Sequence, residues 1–185
     1  MFARCTVALT ALALAGCTAH DSSSAADPEN RALLDRVAIQ DLVGRYYSNF
    51  GKSDNHAFED YFTDDAVLDV NGKVAHGKAE VPGIYAALAG DANPASKGVF
   101  HMILSNPVID VNGDTATATF LWTGVLNDNI DGPPRFWEQG REYDRLVKKD
   151  GKWLIKHRVV IADSGLPKSM KDTYKPRMDY DITKD

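Results

Sequence analysis

From residue 99 onward the chain repeats with a period of two, and this restricts its fold more than any other feature. In Thr115 to Leu126, Ala116, Ala118, Phe120 and Trp122 alternate with Thr115, Thr117 and Thr119. One face is apolar and the other polar, the pattern of an antiparallel strand resting on a core. Val99 to Val111 precedes it across the turn Asn112-Gly113-Asp114. Arg135 to Lys148 follows the break Asp131-Gly132-Pro133-Pro134, and Lys149-Asp150-Gly151 leads into Lys152 to Ala162. In the last strand Trp153, Ile155, His157, Val159 and Ile161 fall on one face, with Lys156 and Arg158 on the other. Strict alternation therefore predicts that the first set points inward.

The first half has a helical period. Leu33, Leu34, Val37, Ala38, Leu42, Val43, Tyr46 and Phe50 form an apolar stripe along Glu29 to Phe50, with Gly51 as a stop. Ser53 or Asp54 can cap a short second helix carrying Phe58, Tyr61 and Phe62. Ala66 to Val70 and Lys73 to His76 read as a hairpin about Asn71-Gly72. Ala79 to Ala89 reads as a third helix, with Pro82 in its first turn. Three N-terminal helices and a meander of strands define an α+β domain. A curved antiparallel or mixed sheet, covered by those helices on one side, encloses a cone with an apolar interior. Trp122, Phe120, Leu42 and Ile155 are expected to be buried together around it.

Net charge is −5 and Lys and Arg are scattered, so nothing resembles a nucleic-acid footprint. The two cysteines are Cys5 and Cys17, which leaves the rest without thiol or disulfide. Arg4, the apolar run Val7 to Ala15 and the small residues after it read as an export signal. That run is shorter than the ~20 apolar residues a spanning helix needs. Leu14-Ala15-Gly16-Cys17 resembles the lipobox of bacterial lipoproteins. The resemblance implies cleavage after residue 16 and acyl chains such as palmitate on Cys17. It also implies a location on the periplasmic side of a membrane, and Thr18 in place of Asp points to the outer one. Residues 17–28 then form a flexible tether, 29–165 the domain and 166–185 a polar tail in which Tyr174 and Tyr180 pack locally. No helical His pair and no acidic cluster suggest a metal centre. No Gly-rich phosphate loop or Gly-x-Ser-x-Gly elbow occurs, so no cofactor is expected.

Several segments together resemble one family. They are Ile39-Gln40-Asp41-Leu42-Val43-Gly44-Arg45-Tyr46, Phe62-Thr63-Asp64-Asp65-Ala66, His76-Gly77-Lys78, Val111-Asn112-Gly113-Asp114-Thr115-Ala116, and Gly140-Arg141-Glu142-Tyr143 through Trp153. In order and spacing they resemble the SnoaL-like branch of the nuclear transport factor 2-like superfamily, from about Val37 to Asp163. The resemblance implies a cone-shaped barrel with a deep pocket for a small, largely apolar molecule and a homodimer through the outer sheet face. Its members include dehydratases, isomerases, cyclases and non-catalytic binding domains, so the fold alone does not set the activity.

The resemblance also nominates a site. Tyr46 matches a helix-one tyrosine of the dehydratases and His101 their strand histidine. An imidazole there can act as base, and a phenol can hold a developing oxyanion. The acids of those members fall at Gly51 and Gly124, which are not acids here. Cofactor-free isomerisation or dehydration by His101 and Tyr46 therefore stands beside a non-catalytic binding or assembly module. Trp122 and Phe120 are expected in the pocket. Tyr46 is either a site residue or core, and His101 either a base or a satisfied core histidine. His157 is a second polar group or a structural one. Asp163 either replaces the missing charge or ends the strand in solvent. Glu138 and Arg141 lie on opposite faces of one strand, so at most one enters the pocket.

Overall fold

The computed structural model describes residues 27–48, 60–89, 99–178 and 180–184. Helix α1 (Pro28–Ser48) is followed by strands β1 (Phe62–Val70) and β2 (Lys73–His76), a 3-10 turn at Lys78–Glu80 and helix α2 (Val81–Ala89). Four long strands complete the sheet: β3 (Val99–Asn112), β4 (Thr115–Asn127), β5 (Arg135–Lys149) and β6 (Lys152–Ser164). The sheet order is β2-β1-β6-β5-β4-β3, antiparallel except for the parallel pair β1 and β6. The fold is thus α+β with a curved, six-stranded mixed sheet. The short helix expected after Ser53 lies almost wholly outside the described residues.

The tight turns follow from local chemistry. Asn71, Gly72, Gly113, Asp150 and Gly151 take positive φ at the three hairpins, where Asn, Asp and Gly tolerate the left-handed region. On the inner face of the sheet Ile109 packs near its partner Ala118, with Phe120, Leu146, Ile155 and Leu68 in the same core. Helix α1 closes this core with Ile39, Val43, Tyr46 and Tyr47.

Two details correct the alternation read from sequence. On α1, Leu33, Leu34 and Val37 are exposed, whereas Ile39 is fully buried. Asp35 is buried in the same row, accepting bonds from Lys148 Nζ (2.6 Å) and Trp153 Nε1 (3.0 Å). On β6, Ile155 pairs with Leu146 but His157 pairs with Arg145, so Lys156 is an extra residue in a β-bulge. The bulge resets the phase: Arg158 pairs with Asp144 on the inner face, and His157 goes with the outward-facing Arg145. A single inserted residue exchanges the two faces.

Candidate functional site

A cavity of about 50 Å³ lies inside the cone, between the helices, the inner face of the sheet and the segment after β6. Val70, Tyr85, Met102, Trp122, Val160 and Met170 make most of its wall, with Tyr47, Asn71 and Glu138 as polar members. Trp122 comes from β4 opposite Gly140 on β5. A Cβ at position 140 would stand 2.4 Å from the indole ring and 2.2 Å from the carbonyl oxygen of Ile161. The bare backbone of Gly140 thus makes the space for Trp122. The indole is buried, and its Nε1 proton has no hydrogen-bond partner.

Glu138 pairs with Gly124, on the same face as Trp122. A Cβ on Gly124 would come within 2.7 Å of Glu138 Cγ and 2.8 Å of the Phe100 ring. The glycine at a position where the dehydratase pattern carries an acid therefore makes room for an acid from the next strand. Burial alone pushes the Glu138 carboxyl up to about 7. Arg141 takes the outer face, where it binds Asp163 at 2.8 Å and donates to the Arg177 carbonyl.

Behind the cavity wall lies a charged cluster with no solvent exposure. Arg158 makes two parallel bonds to Asp144, Nε to Oδ1 at 2.7 Å and Nη2 to Oδ2 at 2.9 Å. Its Nη2 is also 3.0 Å from Glu142 Oε1. The guanidinium lies 4.2 Å from the centre of the Tyr46 ring, a cation–π contact. Tyr47, at the cavity wall, donates its hydroxyl to Glu142 Oε2. Burial pushes the Glu142 carboxyl up to about 8; Arg158 opposes that shift and Asp144 reinforces it. The Tyr47 phenol is raised well above its ordinary range, first by burial and then by Glu142.

The placements correct much of the sequence-derived site. His101 is exposed, on the strand face opposite Phe100 and Met102, which lean toward the cone. It borders a second hollow, of about 320 Å³, with Gly44, Tyr47 and Ser48. His101 and Tyr46 therefore do not face one cavity: Tyr46 is buried among Tyr47, Tyr61, Phe62 and Tyr85, and the phenols in the cavity wall are those of Tyr47 and Tyr85. His157 is turned outward by the Lys156 bulge. Asp163 is the extra residue of a second bulge, exposed and paired with Arg141. Phe120 is buried in the core but is not in the cavity wall, whereas Trp122 is. Cys17 and Gly51 lie outside the described residues. Among the described residues no cluster of metal-ligating side chains occurs. Glu142, Asp144 and Arg158 were missed because a charged strand reads as solvated. The available signal was Asp, Glu and Arg on both faces of segments that had to be central in the sheet.

The class these features define is a cone-shaped, cystatin-like α+β domain with an apolar interior pocket. The sequence matches the SnoaL-like domain over residues 31–159, and the protein belongs to that family. A Nostoc punctiforme protein of unknown function with a cystatin-like fold is 27% identical, over 72% of this chain and 95% of that one, with a TM-score of 0.61. A nuclear transport factor 2-like protein from Novosphingobium aromaticivorans is 20% identical over 77% and 92%, TM-score 0.59. A candidate scytalone dehydratase from the same organism is 17% identical over 74% and 89%, TM-score 0.60. The last two show the shared fold. No curated protein shows significant similarity to the chain.

Proposed function

We propose that the cone takes up a small, largely apolar molecule and that Glu138 exchanges a proton with it, in cofactor-independent isomerisation or dehydration. The observation that carries this reading is the placement of the Glu138 carboxyl in the wall of a largely apolar enclosure, where burial pushes it up to about 7. A general acid or base works best when its pKa is close to the working pH. His101, on the other strand face, has no part in it. The test is α-proton exchange of cyclohexanone in deuterated buffer, followed by NMR. Wild type should accelerate exchange, with a rate falling as pH rises through an apparent pKa near 7, because the protonated carboxyl is the form that donates to the carbonyl oxygen. Glu138→Gln should lose roughly 100-fold or more. Equal rates in the two proteins refute the role.

A second reading, a non-catalytic ligand-binding or assembly module, is favoured by the positions of His101 and Asp163 outside the cavity. Native mass spectrometry showing a retained ligand, with no proton exchange above buffer, supports it.

The location follows from the N-terminal motif: Cys17 carries the lipid and the domain hangs on the periplasmic side of the outer membrane. No helix among the described residues is long and apolar enough to cross a bilayer. Cys17→Ala should move the protein out of the membrane fraction; unchanged partitioning, with no acyl label on wild type, refutes the anchor. Exposed Val99, Ile103, Val108 and Phe136 on the outer sheet face support a homodimer there.

A further inference from the structure

We propose that Trp122 and Glu138 form a clamp for one carbonyl oxygen of the ligand, so that the cavity selects small ketones or enones over hydrocarbons of the same shape. This rests on the reading of the cavity as a ligand site. Trp122 pairs with Gly140 and Glu138 with Gly124, which puts the two side chains one diagonal step apart on the inner face of adjacent strands. Diagonal neighbours lie roughly 7–8 Å apart at the backbone, within reach of long side chains. Both side chains are in the cavity wall. The indole can only donate, and its Nε1 proton is buried without a partner. A buried donor left unpaired is costly, so an acceptor supplied by the ligand is rewarded. Protonated Glu138 offers a second donor, and a carbonyl oxygen has two lone pairs to receive both. A ligand carboxylate would have to enter the apolar wall without a cation to meet it, which disfavours acids.

Among the described residues, the ionisable groups facing this point from the surrounding elements are few. Tyr47 of α1 and Tyr85 of α2 line the cavity, and burial raises both phenols, so they stay neutral. The Glu142, Asp144 and Arg158 cluster lies behind Tyr47. Among the described residues, Glu138 is therefore the group in the wall whose charge changes near neutral pH.

The experiment compares cyclohexanone with methylenecyclohexane, which replaces the oxygen by a CH2 group, by NMR titration of the 15N-labelled full chain at pH 6. The Trp122 Nε1–H resonance is assigned with Trp122→Phe. Cyclohexanone should bind at least tenfold more tightly and shift that resonance downfield, whereas methylenecyclohexane should not. The preference should weaken above pH 8 in wild type. In Glu138→Gln it should persist without the pH dependence, because the amide still donates. Equal binding of the two probes with an unmoved indole proton overturns the clamp and leaves the apolar pocket standing. Binding of neither overturns the pocket reading along with it. The indole shift is read on wild type, and where Trp122→Phe folds poorly Trp137→Phe and Trp153→Phe assign the resonance by elimination among the three tryptophans.

Discussion

Arg158 shares one guanidinium between Asp144 and Glu142, stacks on Tyr46, and has no exposure. Removing it leaves buried carboxyl groups without their counter-ion, which costs more than a salt bridge at the surface contributes. Arg158→Met should lower the unfolding free energy by about 3–5 kcal/mol, read from urea denaturation at pH 7. The two raised glutamates set the pH response. Each keeps its proton in the folded chain to about 7 and about 8, above the ordinary value of 4.5. Their contribution is complete below the unfolded value and disappears as pH rises through the folded one. Thermal stability should fall from pH 5 to 8.5, and Glu142→Gln should flatten the upper part of that fall. A Tm that climbs steadily over this range would contradict the buried, protonated glutamates. Asp35 acts in the opposite sense. Burial works against its charge, but the Lys148 and Trp153 bonds prevail and hold its carboxyl low, so its contribution is lost in acid.

Helix α1 and strand β6 show how an element's phase is chosen. On α1, Ile39 and Val43 face the core while Leu33 and Leu34 face out. Ile39→Ala should therefore cost about 2–5 kcal/mol, and Leu33→Ser or Leu34→Ser no more than about 0.5. On β6 the extra residue Lys156 separates Ile155 from Arg158 without a change of face. Deleting Lys156 removes the bulge yet preserves the pairs Ile155 with Leu146 and Arg158 with Asp144. The deletion should fold cooperatively with a loss of roughly 1–3 kcal/mol, an ordinary cost for one change. Strict alternation predicts the contrary, because it would expel Val159 and Ile161 from the core. Circular dichroism and thermal melts of the deletion decide between them.

At the scale of the molecule, the segment after β6 joins the cone to its outer surface. Pro167 and Met170 complete the cavity wall, with Asn71 Nδ2 3.4 Å from Met170 Sδ. The chain then crosses the outer sheet face, where Arg177 pairs with Asp69 at 2.9 Å, Tyr180 meets Tyr143 edge-on and Ile182 accepts from Arg145 Nε. Val159 and Ile161 are buried on that side of β6. The family match ends at residue 159, before both the cap and the strap. Met170→Ala should destabilise by about 2–5 kcal/mol and enlarge the cavity. Removing residues 175–185 uncovers apolar sheet surface and should strengthen self-association in sedimentation; an unchanged state would show that the strap does not limit the interface.

What the sequence determined by itself was local: the two-residue period, the Asn, Asp and Gly turns and the helical first segment, which together specify an α+β cone and its family. These signals come from nearest neighbours and survive in any environment. Tertiary structure alone decided which side chains enter the cavity. The bulge at Lys156 turned His157 outward and brought Arg158 in, the bulge at Asp163 left that carboxylate outside, and the gap at Gly124 was filled by Glu138 from the next strand. A bulge adds one residue with no compositional mark of its own. A glycine records an absent side chain without naming the neighbour that takes its place, so the chemistry of the cavity is set by pairings between strands and not by order along the chain.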